Sequence, residues 1–125
     1  MLYKGDLISK LWSLFDERKY LETRDLFHDE CNVIMESSRE IFKNIDLYLQ
    51  MNCDYPGNWR TVLEKVEILD EGAISLVHVY SSEEEGEFYV TTFYKFKNEL
   101  IHEMKEYWAT VETQPEWRKK YSEAL

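Results

Sequence analysis

The chain has 125 residues, 25 of them acidic against 15 basic, for a formal net charge of −10. A single domain accommodates that length, and a chain of this size buries about two-thirds of its unfolded surface. An aromatic fraction of 15% excludes a disordered chain, and the acidic balance excludes nucleic acid and an anionic membrane surface, which need clustered Lys and Arg.

No stretch approaches the roughly 18 apolar residues of a membrane helix. The start, Met1-Leu2-Tyr3-Lys4-Gly5-Asp6, passes straight into an amphipathic pattern and lacks the basic start and apolar run of a secretory signal. Cys31 and Cys53 form no CxxC pair and read as reduced thiols, so a cytoplasmic location is expected.

Helical spacing comes first. Leu7, Ile8, Leu11, Trp12, Leu14 and Phe15 fall on one stripe of a helix over 6–15, with Asp6 as its expected N-cap. A second short helical pattern runs from Tyr20 to Phe27, and Asn32 to Glu36 reads as a short strand. Asn44 is the expected N-cap of a third helix, with Ile45, Tyr48, Leu49 and Met51 inward and Asp46 favoured by the helix dipole.

After Tyr55-Pro56-Gly57, a type II turn signal, the period becomes two. Val62, Val66 and Ile68 alternate with polar neighbours up to a turn at Asp70-Glu71-Gly72. Ile74, Leu76, His78 and Tyr80 share one face of the next strand. Ser81 to Glu87 is a hairpin loop whose Glu83-Glu84-Glu85 tip reads as solvated charge. Phe88, Val90, Thr92, Tyr94 and Phe96 share a face of a third strand, which turns at Lys97-Asn98-Glu99. The last strand carries Met104, Glu106 and Trp108 on one face and Ile101, Glu103, Lys105 and Tyr107 on the other. Pro115 begins a short tail.

Helices followed by an antiparallel meander define an α+β class, a single domain over 1–125. Tyr89, Thr91, Phe93 and Tyr107 occupy the face opposite the core. An antiparallel sheet ordinarily leaves that face to water. Aromatics there predict a cover, and a homodimer through the sheet is the expected form.

Three stretches carry a resemblance that spans nearly the whole chain. They are Leu26-Phe27-His28-Asp29-Glu30, Tyr55-Pro56-Gly57-Asn58-Trp59-Arg60, and Leu100-Ile101 with Glu106-Tyr107-Trp108 and Pro115-Glu116-Trp117-Arg118. In these the chain resembles the SnoaL-like branch of the nuclear transport factor 2-like superfamily. The resemblance implies a cone-shaped fold, N-terminal helices packed in a strongly curved antiparallel sheet, with an apolar pocket at the wide end. It also implies dimers through the sheet. The group holds ketosteroid isomerases, dehydratases, polyketide cyclases and epoxide hydrolases, so the fold alone does not select a reaction.

The ketosteroid isomerase pattern uses a carboxylate base with a Tyr and a protonated Asp as donors. Aligned through Leu26-Phe27 and through Thr92-Phe93-Tyr94-Lys95-Phe96, those three positions fall on Met35, Leu11 and Thr92. Isomerisation by that mechanism is excluded. The same alignment turns Val90, Thr92, Tyr94, Met104, Glu106 and Trp108 toward the pocket.

The expected function is binding of a small apolar or aromatic ligand in an aromatic-lined pocket, with Tyr48, Trp59, Tyr80, Val90, Thr92, Tyr94, Met104 and Trp108 as ligand contacts. A lyase or isomerase using Glu106 and His78 as acid and base is the alternative, since a carboxylate in an aromatic pocket has a raised pKa. A dimeric interaction module is the third reading. Trp59 and Trp117 are expected to pack together or close the ends of the cone. His28 and His102 are expected to be exposed, and three scattered histidines give no facial triad, so neither a metal site nor a cofactor is expected.

Overall fold

The first helix, α1, forms over Lys4–Asp16 in a computed structural model that describes residues 3–84 and 86–125. Glu85, one member of the acidic hairpin tip, and the first two residues lie outside the described residues. Apolar residues three and four apart stack on one side of a helix, and Leu7, Ile8, Leu11, Trp12 and Phe15 are accordingly buried. Asp6 is not the cap. The helix begins two residues earlier, and the Asp6 carboxylate accepts a hydrogen bond from the Tyr3 N–H at 3.3 Å, beside the positive end of the helix.

A 3₁₀ turn over Tyr20–Leu26 leads without a break into β1, Phe27–Met35, which is longer than the strand expected from Asn32. A short strand, β2 (Glu40–Phe42), turns back on it. Helix α2 then spans Ile45–Asp54, capped as expected by Asn44, whose Oδ1 accepts from the Asp46 N–H at 2.8 Å. Four long strands follow: β3 (Arg60–Leu69), β4 (Gly72–Tyr80), β5 (Glu87–Lys97) and β6 (Leu100–Thr110). Asn98 and Glu99, which join β5 to β6, have φ of 52° and 66°. Two successive left-handed residues make the mirror-image turn whose twist suits a hairpin.

The six strands form one sheet in the order β2-β1-β6-β5-β4-β3. All neighbours are antiparallel except β1 and β6, which run parallel. The architecture is α+β, with helices held against one face of a curved sheet. Trp12 donates its indole N–H to Tyr94 Oη at 2.8 Å, and that oxygen lies 2.6 Å from Ser75 Oγ, so α1, β4 and β5 are tied together inside the core.

Register decides which face each side chain takes. Tyr80 pairs with Glu87, so odd residues of β4 share a face with even residues of β5. Thr92 pairs with Glu106, so even residues of β5 share a face with even residues of β6. The inner face therefore carries Ala73, Ser75, Val77 and Val79 of β4 beside Val90, Thr92 and Tyr94 of β5 and Met104, Glu106 and Trp108 of β6, and Ile74, Leu76, His78 and Tyr80 point outward. Two bulges break the simple alternation. The extra residue Glu64 in β3 puts Val62 outside while Val66 and Ile68 pair with inner residues. The extra residue His102 in β6 turns Ile101 inward, where it is fully buried opposite Phe27, rather than leaving it with Tyr107. A single inserted residue reverses the face of everything beyond it.

On the outer face Phe93 and Tyr107 are 43% and 42% exposed and meet edge to face at 5.9 Å. Trp117, in a 3₁₀ turn over Glu116–Arg118, is 68% exposed and stacks against Arg118 rather than Trp59. Residues 116–125 of the tail are exposed to solvent. Among the described residues no helix is long and apolar enough to cross a membrane.

Candidate functional site

A cavity of about 390 Å³ opens between the helices and the inner face of the sheet. Trp12 and Phe15 of α1, Tyr48 and Met51 of α2, and Phe88 and Trp108 of the sheet form its apolar walls. Trp59, just before β3, closes one side. Its ring packs against Tyr55 and Phe88, and its N–H donates to the Pro56 carbonyl at 2.9 Å. Gly57, at φ 103°, supplies the left-handed residue that brings this carbonyl and indole together. Ser37, Ser38 and Thr110 make a polar mouth, and Asn52, held by its bond to the Tyr48 carbonyl, adds an amide.

One layer behind the wall lies Glu106, fully buried. Tyr48 donates its hydroxyl to Glu106 Oε2 at 2.9 Å, and Trp108 donates its N–H to Oε1 at 3.3 Å. Both donors line the cavity while the carboxyl they hold does not. Burial pushes the Glu106 pKa up to about 7, against the downward pull of the two donors. Tyr48 is pushed up as well, by burial and then by the neighbouring carboxylate. Thr92 stands directly across from Glu106 in the β5–β6 register, and its hydroxyl oxygen is buried without a hydrogen-bond partner among the described residues. Of the two groups that hold the carboxyl, the Tyr48 hydroxyl can both give and accept a proton and so links Glu106 to the cavity, whereas the Trp108 indole only donates a hydrogen bond.

The expected ligand contacts divide into three sets. Tyr48, Trp59 and Trp108 line the cavity. Val90, Thr92, Tyr94 and Met104 share the inner face but are buried in the core beneath it. His78 and Tyr80 are on the wrong side of the sheet. This corrects the expected acid–base pair: the odd-to-even pairing of β4 with β5 sends His78 outward, away from Glu106. There His78 Nε2 lies 2.6 Å from Glu87 Oε2, and the ring stacks on Tyr80 and Tyr89 at centroid distances of 5.1 and 4.8 Å.

Phe15, Met35, Met51, Asn52 and Phe88 line the cavity without having been singled out. Phe88 was legible, since it shares the even face of β5. Met35 was legible too, because it occupies the aligned position of the base. It pairs with Glu106 across the parallel β1–β6 ladder and offers a thioether where a carboxylate would stand. Met51 and Asn52 depend on how α2 seats over β1, which no local pattern encodes.

Two histidines are also placed differently from expectation. His28 and His102 are half-buried rather than exposed, and their rings meet edge to face at 5.1 Å. They begin or interrupt strands β1 and β6, which are neighbours in space though far apart in sequence.

Helices laid into a curved sheet, with a cavity between, form an arrangement found in solved proteins. This is the nuclear transport factor 2-like fold. A nuclear transport factor 2-like protein of unknown function from Burkholderia xenovorans LB400 superposes with a TM-score of 0.79 at 12% identity, over 97% of this chain and 94% of that one. A proposed ketosteroid isomerase from Kribbella flavida DSM 17836 superposes at 0.81 and 18% identity, over 95% of this chain and 87% of that one. A SnoaL-like polyketide cyclase, so named provisionally, from Jannaschia sp. CCS1 gives 0.64 at 13% identity, over 84% and 86% of the two chains. At such identities the nuclear transport factor 2-like likeness is one of fold. Neither a protein-family model nor a curated protein matches the sequence.

Proposed function

We propose that the chain binds a small, mainly apolar or aromatic molecule in the cavity between α1, α2 and the sheet. The observation that carries this reading is the cavity itself: about 390 Å³ walled by Trp12, Phe15, Tyr48, Trp59, Phe88 and Trp108, with a few polar groups from Ser37, Ser38, Asn52, Thr61 and Thr110. Ligand sites are concave and predominantly apolar, with a few polar groups that fix orientation. Solved proteins of the same fold carry names of isomerase, epoxide hydrolase and polyketide cyclase kind, which agrees with a pocket for a small organic molecule.

Nile red, a neutral dye that brightens in apolar surroundings, tests the reading. Saturable one-to-one binding is expected, weakened at least tenfold by the Met35→Trp/Ser38→Trp pair, which fills the cavity from wall and mouth. His78→Ala, on the outer face, is expected to leave the titration unchanged. Non-saturable binding, or equal binding by the filled variant, overturns the proposal.

A lyase or isomerase reading is favoured by one observation, the buried Glu106 with a pKa near 7 held by a cavity-lining Tyr48. In that reading Tyr48 touches the substrate and Glu106 positions it, in place of the Glu106–His78 pair. A homodimer through the outer sheet face is part of the proposal, motivated by the exposed Phe93–Tyr107 pair. Light scattering is expected to give twice the chain mass, falling to one chain mass in Phe93→Glu. A native monomer removes the dimer and leaves the pocket reading intact.

A further inference from the structure

We propose that His28, Glu30 and His102 form a binding site for zinc or a similar borderline divalent cation, separate from the cavity. One ligand atom of each of the three residues lies within 4.8 Å of the other two. The fold creates this cluster where both strands lose their regular pairing. Phe27 pairs with Ile101 and Asn32 with Glu103, so four residues of β1, 28 to 31, face the single residue His102 of β6. Bulges of this kind re-aim side chains and recur beside functional sites. Here they bring two imidazoles together from positions 74 residues apart, 102 less 28, and set a carboxylate next to them.

Two imidazoles and one carboxylate suit zinc rather than magnesium or calcium, which prefer all-oxygen shells. Three protein ligands leave the fourth tetrahedral position to water. With metal–ligand bonds of about 2.0–2.1 Å, ligand atoms around zinc stand roughly 3.4 Å apart. The three groups then need to close by at most about an ångström and a half, a movement within the reach of side-chain rotation. His28 Nδ1 accepts a hydrogen bond from the Glu30 N–H at 3.0 Å, which leaves Nε2 as the ring nitrogen carrying the proton in the neutral form. Coordination through Nε2 moves that proton to Nδ1 and releases the Glu30 amide, in a stretch of β1 already out of register. Lys97 Nζ, 3.8 Å from Glu30 Oε2, is the resident counter-charge with which the metal competes. Cys31 lies nearby in sequence but is fully buried, its thiol turned to the Asn32 carbonyl at 3.6 Å and outside the cluster.

Calorimetric titration of the full chain with zinc chloride, in a buffer that does not chelate, tests the site. One equivalent is expected to bind. His28→Ala and His102→Ala are each expected to weaken it at least tenfold, Glu30→Gln severalfold, and Lys97→Ala to tighten it. Cys53→Ser is expected to change nothing, which separates the cluster from the exposed thiol. Should a histidine variant unfold, the native chain decides the matter by its Glu30 amide resonance, which is expected to shift on zinc addition and not on magnesium addition. No saturable binding, binding that survives both histidine replacements, or loss with Cys53→Ser overturns the proposal.

Discussion

The native chain is expected to lose stability as pH rises from about 4.5 to about 7, and replacing Glu106 by Gln is expected to abolish that fall. The Glu106 carboxyl titrates at about 7 in the folded chain against 4.5 for an unperturbed glutamate. In that window the folded state holds a proton that the unfolded state has released. Stability then declines as pH rises, because the slope follows the excess of protons bound by the unfolded state, here negative. The effect begins near the unfolded pKa and levels off above the folded one. At 1.36 kcal/mol per pH unit across that window, the loss amounts to about 3 kcal/mol. Asp16 works in the opposite sense and lower on the scale. Its pKa is lowered by the hydrogen bond from Arg60, so its contribution is lost only as pH falls through the carboxylate range. Urea midpoints at pH 5 and pH 8 for the native chain and for Glu106→Gln separate the two. Glutamine keeps the shape and an acceptor for Tyr48, so the variant is expected to match the native chain at pH 5 and exceed it at pH 8. Glu106→Ala has no such compensation. It leaves Tyr48 Oη and Trp108 Nε1 unpartnered beside a new void and is expected to cost about 2–4 kcal/mol at pH 5, and less at pH 8, where the native chain has itself lost the Glu106 contribution. Parallel pH profiles for the native chain and Glu106→Gln would show that Glu106 is ionised throughout.

Gly72→Ala is expected to destabilise the fold by about 3 kcal/mol or more, with no residue of the cavity touched. A Cβ on Gly72 would collide with the carbonyl oxygen of Tyr94. That partner is backbone in the middle of β5 and has no rotamer by which to retreat. Inserting one carbon into a packed interior commonly costs about 1–3 kcal/mol, and more where the neighbour is fixed. Any shift of β5 also moves the Tyr94 ring, whose hydroxyl joins Trp12 to Ser75. Gly5, in the first turn of α1, makes the contrast: its added Cβ would meet Ile68 at an ordinary 3.8 Å. Gly5→Ala is expected to be neutral or to stabilise by a few tenths of a kcal/mol, since alanine is the better helix former. Thermal unfolding of the two variants beside the native chain checks the pair, and a Gly72→Ala melting point equal to the native one would sink the argument.

Much of this protein was legible in its sequence because the relevant signals are local. The stripe Leu7, Ile8, Leu11, Trp12 and Phe15 specifies α1, since side chains three and four apart on a helix share a face. Asn44 announces α2 by an amide that can reach only the amide hydrogens just ahead of it. The even-numbered residues of β5 and β6 form one inward surface, and the shift from a period near four to a period of two marks where helices give way to sheet. Periodicity put Glu106 on a face with Met104 and Trp108, and the resemblance to the SnoaL-like branch turned that face toward an aromatic interior.

What escaped the sequence depends on register, which joins residues distant along the chain. The pairing of Tyr80 with Glu87 sends His78 outward, and nothing within β4 itself distinguishes its two apolar faces. The bulges at Glu64 and His102 each reverse alternation by one residue, a change visible only against the partner strand. The tertiary structure alone decided that Tyr48 of α2 meets Glu106 of β6, and that His28 and His102 meet at the β1–β6 seam. Periodicity determines which face a side chain takes within its own element. Which element that face meets is set by the closure of the sheet around the helices, and the cavity and both clusters of titratable groups arise from that closure.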